Sequence, residues 1–319
     1  MALERFRKRP YVWIVASAFV LLLALFALGL IGTAERKTRE TNYRSAVGAQ
    51  EPRKYVSLEA IPISYTDSGG TGSVLLCLHA IGHGARDFET LSRRLSPQYR
   101  VIAMDFPNHG NSGTDSEPAS GTRYTELLSE FIERLDLESV TLLGNSIGGA
   151  VAIRYTQLHP ERVRALVLCD SGGLGSPDEI SRVFIGAFVQ FFAAGRRGAF
   201  WYPWAFDKYY RKVLLKEPAS EERERIVRTA YEIAPTLEQA WRSFAKPEEN
   251  LLPILHKVRC PVLLAWAKDD FVLALKHNEP SFQQFPDHHL EVFEGGHAAF
   301  LEDPDRFEQS LRRFLAKAY

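Results

Sequence analysis

The chain of 319 residues has few cysteines and no net charge. Its three cysteines, Cys77, Cys169 and Cys260, each lie in or beside an apolar run, and an odd number cannot be fully paired. We interpret them as buried thiols rather than disulfides or metal ligands. Basic and acidic residues number 39 each, so no overall positive field attracts nucleic acid, and we expect no nucleic-acid partner.

The sequence also lacks the patterns that bind metals or phosphate groups. No cysteine or histidine spacing is typical of a zinc site, and no glycine-rich loop is typical of a phosphate-binding loop. We therefore expect neither a metal nor a cofactor. With 45% hydrophobic and 24% charged residues, the chain can bury a large core and is not expected to be disordered.

One long segment, residues 11–32, contains no charged residue. As a helix, its 22 residues would extend about 33 Å, which is enough to cross one bilayer. We predict a single-pass membrane protein with a transmembrane anchor in residues 1–34 and a polar tether in residues 35–52. The alternative is a cleaved signal peptide that ends at Gly32-Thr33-Ala34 and leaves a secreted protein. Basic residues flank the run on both sides, so the side of the membrane stays open.

Strand and helix patterns alternate in the rest of the chain. Short apolar runs separated by helical patterns indicate an α/β fold with a mostly parallel, eight-stranded sheet and helices on both faces. The first two strands follow each other almost directly, which predicts an antiparallel edge. No strand pattern appears for nearly eighty residues after about residue 173. We therefore predict a core of residues 53–173 and 252–319, interrupted by a helical cap of residues 174–251.

The predicted cap is rich in aromatic residues, with eleven of them between Phe184 and Tyr210. Ile180, Phe184, Phe188 and Phe192 recur every four residues, as on one face of a helix. This face forms either the cap's own core or the lining of an apolar substrate pocket. The aromatic residues that we assign to the pocket are Phe184, Phe188, Trp201 and Trp204.

The segment Gly144-Asn145-Ser146-Ile147-Gly148 has the G-x-S-x-G pattern. An apolar, strand-like run precedes it, and small residues followed by a helical pattern come after it. Glycines at these places let a strand and a helix approach closely at a sharp turn. The pattern therefore predicts that Ser146 is a nucleophile.

A serine nucleophile needs a base to remove its proton and a carboxylate to orient that base. Suitable residues follow later strands. His297 comes after a Gly-Gly turn, and Asp270 follows the predicted strand 262–266. Asp269 and Asp170 are alternatives for the acid. The predicted chain order is serine, acid, histidine.

Together these patterns resemble the α/β-hydrolase family, in the form that carries a helical cap and includes lipases, esterases and meta-cleavage-product hydrolases. Residues 105–113 are similar to the family's D-x-P-G-H-G-x-S loop, and residues 79–82 lie where the family has its His-Gly oxyanion loop. The chain departs from the family pattern at Ala80 and Asn108, where glycine is usual. The resemblance extends from about residue 55 to the C-terminus.

The resemblance implies a catalytic triad of Ser146, Asp270 and His297, with Asp270 preferred to its alternatives. It also implies that the backbone N–H groups of Ile81 and Ile147 form the oxyanion hole. A serine nucleophile argues against relatives that use aspartate to open epoxides or displace halide.

We therefore predict a serine hydrolase that cleaves carboxylic esters of apolar acyl substrates through an acyl-enzyme. The expected partners are a small-molecule or lipid ester, such as a monoacylglycerol, and the membrane through residues 11–32. Two alternatives stay open: a C–C bond hydrolase of the meta-cleavage type, and a non-catalytic binding protein on the same fold. The aromatic cap and the anchor favour the lipid ester.

Overall fold

The computed structural model describes residues 52–96, 98–175 and 178–318. The predicted anchor or signal peptide lies outside these residues, as does the tether except for Pro52. Within the described part, no helix combines the length and the apolar character that crossing a membrane requires.

A single eight-stranded sheet forms the core of the described chain. The strands are β1 Lys54–Leu58, β2 Ile61–Asp67, β3 Ser73–Leu78, β4 Tyr99–Met104, β5 Val140–Asn145, β6 Val163–Cys169, β7 Val262–Ala267 and β8 His288–Phe293. Their order is β1-β2-β4-β3-β5-β6-β7-β8. β2 pairs antiparallel with β1 and β4, and the other neighbours pair parallel. The predicted mostly parallel sheet with an antiparallel edge is confirmed.

The middle strands are covered on both faces. Every residue of β5 and of β7 is buried, and both strands consist mainly of valine, leucine and small residues. Parallel strands with this composition are typical of sheets between two layers of helices. The helices are α1 Glu89–Leu95, α2 Gly121–Arg134, α3 Ile147–Leu158, α4 Glu179–Arg196, α5 Tyr202–Val213, α6 Ser220–Arg228, α7 Ala230–Ser243, α8 Leu275–Phe282, α9 Ala299–Glu302 and α10 Pro304–Ala318.

Helices α4 to α7 follow one another between β6 and β7, with no strand among them in the described residues. They correspond to the segment predicted as a cap, although the exact domain boundaries stay a prediction. Aromatic side chains join α4 to α7, where the ring of Phe188 stacks on that of Trp241 with 4.3 Å between their centroids. Part of the aromatic face of α4 therefore serves the internal packing of this segment.

The cysteines lie in the environments that the sequence indicates. Cys77 and Cys169 are buried in the sheet and Cys260 is partly buried, and all three are free thiols. Burial raises the pKa of Cys260 to about 12 and raises the pKa values of Cys77 and Cys169 as well. Thiols that stay protonated at neutral pH are poor nucleophiles and poor metal ligands.

Candidate active site

Ser146 occupies the sharp turn between β5 and α3. Its backbone has φ 54° and ψ −118°, a conformation that costs an L-residue about 1–3 kcal/mol. The carbonyl oxygen of Ser146 accepts hydrogen bonds from the N–H groups of Gly149, Ala150 and Gly172, at 3.0, 3.2 and 2.9 Å. These bonds offset the strain, and they hold the serine at the start of the helix.

Only glycine fits at positions 144 and 148, because other parts of the backbone lie too close for a side chain. A Cβ atom at Gly144 would lie 2.3 Å from the carbonyl oxygen of Gly148. A Cβ atom at Gly148 would lie 2.3 Å from the carbonyl oxygen of Leu78, at the end of β3. No side chain fits at these distances. The G-x-S-x-G pattern therefore has a steric cause at this turn.

Asp270 and His297 form a buried acid–base pair. The Nδ1 atom of His297 lies 2.8 Å from Oδ2 of Asp270, and Oδ1 accepts from the N–H groups of Val272 and Leu273 at 2.7 and 3.0 Å. Burial by itself raises the pKa of Asp270, but the charge of His297 and these hydrogen bonds outweigh it and hold the pKa below its ordinary value. The resulting carboxylate orients the imidazole and can stabilise its charged form.

Neither of the two alternative acids is the hydrogen-bond partner of His297. Asp269 is exposed to solvent. Asp170 is buried, and its Oδ1 accepts from the N–H group of Ala267 at 2.7 Å. Burial and the neighbouring charge of Asp270 raise the pKa of Asp170 well above its ordinary value. The carboxylate that contacts the histidine is therefore that of Asp270, as the resemblance implies.

Two buried histidines lock the predicted oxyanion loop to the loop after β4. Nε2 of His79 accepts from the N–H group of Phe106 at 2.9 Å, and Nε2 of His109 accepts from the N–H group of Gly82 at 3.0 Å. The Nδ1 atoms lie 2.7 Å from the carbonyl oxygen of Ala80 and 2.9 Å from that of Pro107, to which they donate. Each imidazole thus uses both nitrogens as the neutral tautomer requires.

Ala80 and Asn108, which stand where the family usually has glycine, are both compatible with the backbone conformation at their positions. In the described oxyanion loop, residues 79–84, the positive φ angle occurs at Gly82 (83°) and not at Ala80. Asn108 does have a positive φ, of 64°, but asparagine adopts this conformation more readily than most residues. Alanine at position 80 therefore requires no unusual backbone conformation.

The predicted oxyanion donors are placed at the ends of two elements. Ile147 is the first residue of α3, where N–H groups have no partner within the helix. Ile81 lies in the loop after β3 and lines the same recess as Ser146. Their role as oxyanion donors stays a prediction.

A recess lies over Ser146 and His297 and is closed partly by residues from α5 and α7. Its other lining residues are Ala80, Ile81, His83, Tyr209, Tyr210, Val213, Leu237, Trp241, Phe244 and Val272. Most of these side chains are apolar. The recess therefore combines a small number of polar groups near the serine with an apolar wall, as in sites for small organic ligands.

The four aromatic residues predicted for the pocket are not among those lining residues. Phe184 and Trp204 are 44% and 65% exposed. Phe188 stacks against Trp241, and Trp201 is partly buried. On α5 the inward-facing side chains of the recess come from the last turns instead, at Tyr209, Tyr210 and Val213.

Glu302 joins the histidine loop to the segment after α5. Its Oε1 accepts from the N–H group of Gly296, and its Oε2 accepts from those of Leu215 and Lys216, each at 2.8 Å. The N–H group of His297 donates to the carbonyl oxygen of Val213 at 2.7 Å. The sequence shows an acidic residue shortly after His297, but it gives no sign of these partners.

Asn145, the residue before the serine, also holds the histidine loop. Its Nδ2 donates to the carbonyl oxygens of His297 and Cys169, at 2.9 and 3.0 Å. The nucleophile turn and the histidine loop are therefore linked directly by hydrogen bonds.

The chain matches a known protein family. Residues 75–310 match the model of the alpha/beta hydrolase family. The chain belongs to this family. An uncharacterised protein of Mycobacterium tuberculosis is 26% identical to this hydrolase over 264 residues, which cover 77% of the chain and 76% of that protein.

A second relative of the hydrolase is the 2-hydroxy-6-oxononadienedioate/2-hydroxy-6-oxononatrienedioate hydrolase of Paraburkholderia phymatum. It is 27% identical over 286 residues, which cover 83% of the chain and 96% of that protein.

Solved structures share the fold. The crystal structure of a membrane phospholipase A has a TM-score of 0.73 at 22% identity and covers 99% of each chain. An esterase from Thermogutta terrifontis has a TM-score of 0.72 at 22% identity and covers 84% of this chain and 99% of its own.

Burial lowers the pKa of His79 to about 4 and that of His109 to about 3, from an ordinary value near 6.5. Since the folded pKa values are depressed, the stability that these neutral rings contribute is fully present above about pH 6.5 and is lost as the pH falls toward 4. We predict that thermal unfolding midpoints, measured from pH 7 to pH 4, fall less steeply for His109→Gln than for the wild type. His277→Gln, at an exposed position, should keep the wild-type slope. Equal slopes for all three proteins would contradict the buried, neutral assignment.

Proposed function

We propose that this hydrolase cleaves carboxylic esters with apolar acyl groups through a serine triad. The proposal rests on the Asp270–His297 pair, whose histidine lines the same recess as Ser146. Ser146 Oγ attacks the ester carbonyl while His297 takes its proton and passes it to the leaving alcohol. Asp270 stabilises the imidazolium, and water then releases the acid from the acyl-enzyme by the same steps.

The oxyanion that forms on the carbonyl would be stabilised by the N–H groups of Ile81 and Ile147. A donor of this kind typically lowers the barrier by about 3 kcal/mol. The interlocked histidines His79 and His109 support this role because they fix the loop that carries Ile81.

The side chains that line the recess indicate the class of substrate. Leu237, Trp241 and Phe244 lie along α7 and its end, and they offer an apolar surface for an acyl chain. The fold that the chain shares with a phospholipase and an esterase of known structure supports an ester substrate of this kind. A lipid ester such as a monoacylglycerol is consistent with these features.

The proposal is tested by a fluorophosphonate probe, which reacts with activated serines. The wild-type chain should be labelled and should hydrolyse p-nitrophenyl esters, whereas Ser146→Ala should show neither property. Ser129→Ala, which changes a serine whose hydroxyl donates within α2, should behave as the wild type. If folded wild-type protein is neither labelled nor active on esters, the serine hydrolase assignment is wrong.

C–C bond hydrolysis is the second candidate, because a relative is named as a hydrolase of oxononadienedioate-type compounds. A dienoate substrate of that type can be compared with p-nitrophenyl butyrate and octanoate in the same preparation. We expect higher kcat/KM for the esters. A clear preference for the dienoate would favour the second candidate.

We further propose that residues 11–32 anchor the hydrolase in a membrane, since this run is uncharged and long enough to cross one bilayer. One protein of known structure with the same fold is a membrane phospholipase A, and this likeness is consistent with the proposal.

Extraction of cell membranes with alkaline carbonate tests the anchor. We expect the full chain to stay in the membrane pellet, and a variant with Leu21→Arg and Leu23→Arg to be released, because charges in the span are costly in a bilayer. Wild-type protein in the soluble fraction, with an N-terminus near residue 35, would show a cleaved signal peptide instead.

A further inference from the structure

His83 is a second imidazole in the recess and does not belong to the Asp270–His297 pair. It follows Ile81 by two residues, is 1% exposed, and lines the recess together with Ser146 and His297. The serine hydrolase mechanism proposed above gives this buried side chain no role.

The ring of His83 is fixed by a buried carboxylate. Its Nδ1 lies 2.6 Å from Oδ2 of Asp87, while Oδ1 of Asp87 accepts from Nη2 of Arg225 on α6 at 2.8 Å. Burial raises the pKa of Asp87, but the charges and hydrogen bonds of its partners outweigh this effect and lower the pKa. The carboxylate is therefore ionised and accepts the Nδ1–H bond, whereas Nε2 has no hydrogen-bond partner among the described residues.

The surroundings of Nε2 favour a neutral partner. Among the described residues that line the recess there is no lysine or arginine, and the Asp87 and Asp270 carboxylates lie behind its two histidines. An anionic group would therefore find no flexible cation on the wall of the recess, because the Arg225 guanidinium lies behind Asp87 and is engaged by that carboxylate. A hydroxyl group would instead find a hydrogen-bond partner in His83, whose ring lies 5.9 Å from that of Tyr210.

The lining of the recess offers different side chains to the two parts of an ester. Trp241 and Phe244 lie one and two turns beyond Leu237 and form the apolar part of the wall. His83 belongs to the loop that carries the predicted oxyanion donor, close to the position of the reacting carbonyl. The acyl chain fits the apolar part, which leaves the polar part for the alcohol.

We propose that His83 is a specificity-determining residue, which hydrogen-bonds a hydroxyl group on the alcohol part of the substrate, as in a glycerol ester. This inference rests on the proposed ester hydrolysis at Ser146 and adds the chemical class of the alcohol. Asp87 and Arg225 act as positioning residues that hold the ring.

Two esters that differ in one group test the proposal: 2-hydroxyethyl octanoate and propyl octanoate, which carry a hydroxyl and a methyl group at the same place. We expect the full-length wild type to prefer the hydroxyl ester by about tenfold in kcat/KM, the effect of one hydrogen bond in a buried site. His83→Phe keeps a ring of similar size, so it should bring this ratio near one while fluorophosphonate labelling of Ser146 continues.

His277→Phe makes the same change at an exposed position and should keep the wild-type ratio. If His83→Phe folds poorly, Asp87→Asn provides a second variant, because it weakens the hold on the ring and should lower the ratio. A wild-type ratio near one, or a ratio that His83→Phe leaves unchanged, would overturn the inference while leaving ester hydrolysis intact. Hydrolysis of neither ester would contradict the proposed function and this inference together.

Discussion

The left-handed backbone of Ser146 is the constraint on which the site depends. A serine in this conformation is strained, and it persists because three N–H groups converge on its carbonyl oxygen. The same turn brings α3 against the end of β3. The backbone of Gly148 is so close to Leu78 that no side chain fits at position 148. Since β3 leads directly into residues 79–84, this close approach also brings the predicted oxyanion loop beside the serine.

The cap segment and the core meet at the histidine loop rather than through apolar contacts alone. The backbone of His297 bonds to Val213, and Glu302 bonds to Leu215, Lys216 and Gly296 at once. A second link runs from His83 through Asp87 to Arg225 on α6. The helices of the cap segment therefore also help to hold the two imidazoles of the recess. Movement of these helices would change the polar groups of the site as well as its shape.

Much of the fold and the candidate triad could be predicted because their signals are local. Eight apolar runs predicted eight strands, and the glycines around Ser146 reflect contacts within the turn itself. The wall of the recess could not be predicted, because packing between helices decides which side of α5 faces inward. Trp204 is exposed, while Tyr210 lines the recess. Long-range partners also leave no local pattern: Arg225 is 138 residues away from Asp87.

On the proposed route, Ser146 becomes covalently acylated during ester cleavage. Mass spectrometry of the wild-type chain, mixed with p-nitrophenyl octanoate and quenched in acid within the first turnovers, tests it most directly. This route predicts an octanoyl group on the proteolytic peptide that contains Ser146, formed as fast as nitrophenol is released in the first turnover. Nitrophenol release from fully active enzyme with the octanoyl group on another residue would contradict it.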